Sequence, residues 1–164
     1  MYRIDDIVVY KSNGVCKIED ICVPEFVSSQ EVYYRIRPFY ENGGKIYVKI
    51  TNGDTVLRPT ISKEEAQDDL MNIKDEEGIY QSNDKVRERE FSEIMKSCDF
   101  WRCLLMMKGI VGEAERREEK GKRLNMTDER CLQRVEKFLN AEYSVACEVS
   151  IDEARTALEQ AFVV

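Results

Sequence analysis

Six cysteines, a complete absence of histidine and pairs of adjacent carboxylates bound the chemistry open to this 164-residue chain. Cys16, Cys22, Cys98, Cys103, Cys131 and Cys147 form no C-x-x-C pair and no dense framework, so they read as reduced, mostly buried thiols rather than as disulfides or a zinc site. Without histidine there is no Ser-His-Asp triad, no imidazole base and no His-ligated metal. The pairs Glu64-Glu65, Asp68-Asp69 and Glu76-Glu77 fit solvated helix faces better than an acid/base cleft. The expectation is a non-enzyme with no cofactor, no metal and no small-molecule substrate. A thiol-dependent enzyme would rest on the cysteine count alone.

Charge and aromatic placement suggest binding instead. Arg116, Arg117, Lys120, Lys122 and Arg123 lie close together, interrupted by Glu118 and Glu119, and Arg130, Arg134 and Lys137 follow. Such a run is a solvated helix end with i,i+4 pairs, or a phosphate-binding edge. A helix beginning at Thr127 would add backbone N–H groups aimed at the same anion. Tyr80 sits in a polar stretch between helices, where an aromatic ring has little reason to be. Trp101 sits among Leu104, Leu105 and Met107 at helical spacing and reads as core, and Met106-Met107 as gap-filling core or a soft contact surface.

Two kinds of element must position these residues. Residues 1 to about 60 alternate in strand fashion: Ile7-Tyr10, Val15-Cys22, Val32-Pro38, Lys45-Ile50 and Val56-Arg58. Turns are expected at Asn13-Gly14, Asn42-Gly43-Gly44 and Asn52-Gly53-Asp54. Tyr33, Ile46, Val48 and Ile50 would alternate with polar neighbours in a half-buried sheet. Five short strands with close turns predict a small barrel of the SH3-like or Tudor-like kind. From Ser62 the period becomes helical. Ser62-Lys63-Glu64-Glu65 is a capping box, followed by Ala66, Leu70 and Ile73. After a break over 77–82, Asn83 or Asp84 caps a helix carrying Val86, Phe91, Ile94 and Met95. Further helices run from Phe100 to about Arg117, from a Thr127 or Asp128 cap to Cys147, and from a second capping box at Ser150 to the terminus.

The fold class is therefore α+β, a five-stranded Tudor/SH3-like barrel over residues 1–61 followed by an all-α bundle of four or five helices over 62–164. Residues 1–60 hold 8 basic and 8 acidic residues, and 61–164 hold 17 and 24, so the helical half owns the net charge of −7. That sign opposes DNA at long range and predicts weak binding by the free protein. No run of 18 apolar residues suggests a membrane span, and MYRIDDIVVYK is acidic where a secretion signal would be apolar. The expected location is the cytoplasm, with no membrane contact.

The string Asp6-Ile7-Val8-Val9-Tyr10-Lys11-Ser12-Asn13-Gly14-Val15 resembles the "GD-x-V-V-Y-x-x-x-G-V" opening of the CarD/CdnL family of bacterial RNA-polymerase-binding transcription regulators. Tyr33-Tyr34-Arg35-Ile36-Arg37-Pro38, Ile46-Tyr47-Val48-Lys49-Ile50 and Leu57-Arg58-Pro59-Thr60-Ile61-Ser62-Lys63-Glu64-Glu65 resemble later family strings in the same order. Arg87, Ser97, Asp99 and the segment Gly121 to Glu129 fall at family-like intervals.

The resemblance implies an N-terminal Tudor-like domain, similar to that of the transcription-repair coupling factor, which binds the RNA polymerase β subunit. It implies a helical domain lying against promoter DNA at the upstream edge of the bubble, where a tryptophan wedge stabilises the open complex. Asp84 stands near the wedge position, and Tyr80, four residues earlier, is the candidate substitute. Carried onto this chain, Ile46, Tyr47, Val48 and Lys49 are expected to meet polymerase by strand addition. Tyr80, Arg87, Lys120, Lys122, Arg123, Thr127 and Arg130 are expected to meet DNA. The alternative is a polymerase-binding adaptor without DNA contact, which the acidic helical half and the missing wedge tryptophan favour.

Overall fold

A computed structural model describes residues 1–11, 13–40 and 43–163 and divides the chain into two compact units, Met1–Thr60 and Ile61–Val164. Ser12 in the first turn and Asn42 in the expected Asn42-Gly43-Gly44 turn lie outside the described residues.

In the first unit the expected strands form with small shifts at their ends: β1 Ile7–Tyr10, β2 Gly14–Cys22, β3 Tyr33–Pro38, β4 Ile46–Lys49 and β5 Leu57–Pro59. Gly14, at φ 77°, supplies the left-handed turn conformation between β1 and β2. The sheet is antiparallel in the order β4-β3-β2-β1-β5. The expected five strands form one antiparallel sheet with β4 and β5 as its two edges, and these edges do not pair with each other among the described residues.

The Asn52-Gly53-Asp54 turn is also corrected. Ile50–Val56 forms a helix, α1, between the two edge strands, and Gly53 lies inside it, buried. A Cβ on Gly53 would stand 3.0 Å from the Tyr34 ring, so the glycine serves packing. Tyr34 rather than Tyr33 is the buried member of its pair, at 1% exposure, because it shares the inner face with Ile36 and Val48. These three close a core with Val8, Cys16, Ile18 and Leu57. Alternation along β2 is reset by an irregularity between Ile18 and Asp20, which returns Ile21 to the inner face.

The second unit contains α2 Lys63–Asn72, α3 Asp84–Ser97, α4 Phe100–Glu119, α5 Met126–Cys147 and α6 Ile151–Ala161 among its described residues. Both capping boxes form, at Ser62 with Glu65 and at Ser150 with Glu153, and Asn83 caps α3. The cap of α5 is Asn125, neither Thr127 nor Asp128: its Oδ1 accepts the Asp128 N–H at 2.8 Å.

Phe91 and Ile94 of α3, Leu104, Met106, Met107 and Ile110 of α4, Leu139 of α5 and Leu158 of α6 form the buried stripes. Burying each such side chain is worth roughly 1.5–3 kcal/mol. Met106 and Met107 are therefore core. Val86 is 40% exposed, one step off the α3 stripe. Trp101 is half-buried rather than core. It lines an open cleft of about 520 Å³ with Asp69, Asn72, Asp75 and Glu76.

The segment between α2 and α3, read in sequence as a linker, is held down. Lys108 on α4 donates from its ammonium to the carbonyls of Ile73 (2.7 Å), Lys74 (2.8 Å) and Glu76 (2.5 Å). Three donors thereby satisfy three carbonyls at the end of α2 and the short 3-10 turn Ile73–Asp75. Ile79 donates its N–H to Leu105 O at 2.9 Å. Gly78 and Gly109 meet backbone to backbone, and a Cβ on either would collide with the other strand of chain.

Candidate functional site

The first surface is the edge strand β4. Ile50 donates its N–H to Val32 O at 3.1 Å, opposite it in the continued β3-β4 ladder. Backbone groups alternate in direction along a strand. Those of Val48 and Ile46 therefore turn to β3, whereas the N–H groups of Tyr47 and Lys49 turn to the open edge. Side chains sort the other way. Val48 and Ile46, opposite Tyr34 and Ile36, lie on the inner face, with Val48 at 6% exposure. Tyr47 and Lys49, opposite Arg35 and Tyr33, lie on the outer face.

Of the four residues expected to meet polymerase, Tyr47 and Lys49 thus carry both the open backbone and the outward side chains. Ile46 and Val48 hold the strand to the core. Lys49 pairs with Glu31 at 2.8 Å, and this hydrogen bond lowers the Glu31 carboxyl and raises the Lys49 ammonium from their ordinary values. Arg35 and Arg37 reach Glu19 at 3.7 and 2.9 Å on the same face.

The second arrangement centres on Asp128, which is 1% exposed. Its carboxylate accepts the Tyr80 hydroxyl at 2.5 Å, Arg87 Nε at 3.0 Å and Asn125 Nδ2 at 3.0 Å. Arg87, 2% exposed, further donates to Gln81 O at 2.8 Å and to Asp84 at 2.8 Å. Its guanidinium carbon stands 4.5 Å from the Tyr80 ring centroid, and Phe91 meets the same ring edge-on at 6.2 Å. Burial, then the bond to Asp128, pushes the Tyr80 phenol up to about 12. This network was missed in sequence, although Arg87 and Asp128 were each singled out. A buried arginine needs a carboxylate partner, but nothing local ties residue 87 to residue 128.

The network changes the reading of the expected DNA contacts. Arg87 is turned inward and fully partnered, so it offers nothing to a phosphate. Tyr80 is held by its hydroxyl, by the Arg87 guanidinium over its ring and by an edge contact with Phe91. Thr127 is exposed, yet the α5 terminus is capped by Asn125 and carries Asp128 and Glu129 in its first turn, which disfavours an anion there. Lys120, Lys122, Arg123 and Arg130 are exposed at the α4–α5 connection and the start of α5. Tyr80, Arg87 and Lys120 come together around one cleft of about 420 Å³ with Arg116 and Arg117. Lys122 and Arg123 line another of about 480 Å³. Glu113 bridges Arg116 and Arg117 at 2.8 and 2.9 Å.

Cys16, Cys98, Cys103 and Cys147 are buried, and Cys22 and Cys131 partly so. No described helix is long and apolar enough to cross a membrane.

Residues 2–61 match the family model of the CarD-like/TRCF RID domain, so the resemblance read from the sequence is borne out over that segment. A domain of this family implies interaction with RNA polymerase and a role connected with transcription. No curated protein matches the chain.

Proposed function

Proceeding from the CarD-like/TRCF RID domain at residues 2–61, we propose that the protein is a non-enzymatic transcription regulator that binds the RNA polymerase β subunit and contacts promoter DNA near the transcription bubble. The observation that carries this reading is the β4 edge of the sheet within that domain, with the Tyr47 and Lys49 N–H groups turned away from β3 towards a strand of the partner. The proposed polymerase-binding domain is Tudor-like and covers residues 1–61, one residue beyond the first compact unit, and the proposed DNA-contacting helical domain covers 62–164.

The DNA contact is made by Lys120, Lys122, Arg123 and Arg130 through phosphates, with Tyr80 and Arg87 positioning the α4–α5 connection rather than touching a base. Tethering to polymerase raises the local DNA concentration enough to offset the −7 charge. The test is promoter open-complex lifetime against salt for the parent and a Lys122→Ala/Arg123→Ala double variant. A salt slope lower by about two, one per lost phosphate contact, is expected. An unchanged slope at low salt sinks the DNA contact.

The adaptor reading, with polymerase binding and no DNA contact, keeps one specific support. Tyr80, the aromatic nearest the wedge position, is bound to Asp128 and stacked by Arg87. An unchanged slope would select it.

A further inference from the structure

The connection between β2 and β3 carries an aromatic ring with no core to enter. Phe26 is 70% exposed, and its neighbours in the same connection, Val23 and Val32, are each 42% exposed. Phe26 makes an edge-to-face approach to Tyr47, with ring centroids 5.0 Å apart. Tyr47 is on the outer face of β4, and its own N–H is turned to the open edge. The connection is held beside that edge by the Lys49–Glu31 pair and by Ile50 N–H to Val32 O.

An exposed phenylalanine forfeits apolar burial, and a flexible loop would have no reason to fix it against a tyrosine. On the same outer face Lys49 pairs with Glu31, Arg35 with Asp20 at 3.5 Å, and Arg37 with Glu19. The result is an apolar centre within a polar rim, next to unpaired strand edge. That is the anatomy of an interface hot spot, where aromatic residues at the centre supply most of the binding energy.

We infer that Phe26 and Tyr47 together anchor the partner strand, receiving an aliphatic or aromatic side chain of the RNA polymerase β subunit while β4 pairs with its backbone. This rests on the polymerase reading above. It adds a residue, Phe26, from outside the β4 strand, and it gives the partner a chemistry. The added strand must present an apolar side chain on its outer face opposite Tyr47. A charged side chain there would be desolvated against two rings.

The experiment measures binding of the full chain to bacterial core RNA polymerase for the parent, Phe26→Ala, Phe26→Tyr and Lys49→Pro, with sedimentation and thermal unfolding of each. Phe26→Ala is expected to weaken binding by about tenfold or more with unchanged unfolding, because the side chain is 70% exposed and gives up little burial. Phe26→Tyr keeps the ring and should bind like the parent. If Phe26→Ala binds like the parent while Lys49→Pro does not, the anchor is wrong and the polymerase reading stands. A parent that does not bind polymerase overturns both. A parent that self-associates through Phe26, with polymerase binding indifferent to it, assigns the pair to contact between copies and overturns the proposal.

Discussion

Arg87 stacks on Tyr80 and shares with it one acceptor, the buried carboxylate of Asp128, so a residue of the α2–α3 connection and one of α3 are fixed to the first turn of α5. The arrangement holds the α5 entry, and with it the basic α4–α5 connection, in one position.

Removing Asp128 is expected to be the most damaging single change at this network. Asp128→Ala leaves Arg87 buried with the exposed Asp84 as its remaining carboxylate, and it strands the Tyr80 hydroxyl. Breaking such a pair costs about 3–5 kcal/mol, and Asp84 argues for the lower end. Urea denaturation should show it as a fall in midpoint. A loss below about 1 kcal/mol would mean that the pair contributes little to holding α3 and α5 together.

Tyr80 makes alkaline stability informative. Its folded-state value, about 12, lies above the ordinary value of 10.0, so its contribution is fully present below pH 10 and is lost as pH rises towards 12. The parent should lose stability across that window, and Tyr80→Phe should flatten that part of the profile. Near neutral pH the two should differ by the worth of one charge-assisted hydrogen bond, about 1.5–3 kcal/mol.

Asp69 runs the other way from an ordinary paired carboxylate. Burial, then the charges of Glu65, Asp99 and Asp68, raise it from 3.8 to about 6. A raised carboxyl contributes stability below its unfolded value, near 4, and loses it as pH climbs through 6. Asp69→Asn should therefore stabilise the protein at pH 7 and not at pH 4. The site is half open to solvent, so the gain after screening is about 1 kcal/mol. Equal effects at both pH values would contradict it.

The α2–α3 connection should resist proteases at 76–83 in the parent. Lys108→Met removes the ammonium from three carbonyls, and Gly109→Ala drives a methyl into the Ile79 backbone. Each should cost about 2–3 kcal/mol and open this segment to cleavage, as limited proteolysis with mass spectrometry would detect. The proposed domain boundary at 61/62 predicts that any early parental cut near it leaves two folded fragments.

Proline at position 49 isolates the strand edge. Lys49 has φ −56° and ψ 134°, which proline accepts, and its N–H is turned away from β3. Lys49→Pro should retain the sheet and lose polymerase binding. Lys49→Ala gives up the Glu31 pair, keeps the N–H and should retain most of it. Equal binding by both variants would rule out strand addition at β4.

Local signals were enough for much of this. Alternating β-branched residues and Gly14 determined β1 and β2, and the Ser62 and Ser150 boxes and Asn83 determined three helix starts, because each rests on contacts within a few residues. The change of period near Ser62, the −7 charge of the helical half and the strings carrying the family resemblance were also properties of the sequence. What the chain alone could not decide depended on partners distant along it. Gly53 reads as a turn until Tyr34 is seen beneath it. Arg87 reads as a surface cation until Asp128, 41 residues on, is found beside it. The 76–82 stretch reads as a linker until Lys108 and Gly109 are seen to hold it. Periodicity encodes which face of an element is buried. Which buried charge meets which carboxylate, and which edge of a sheet stays open, follow only from how the elements pack.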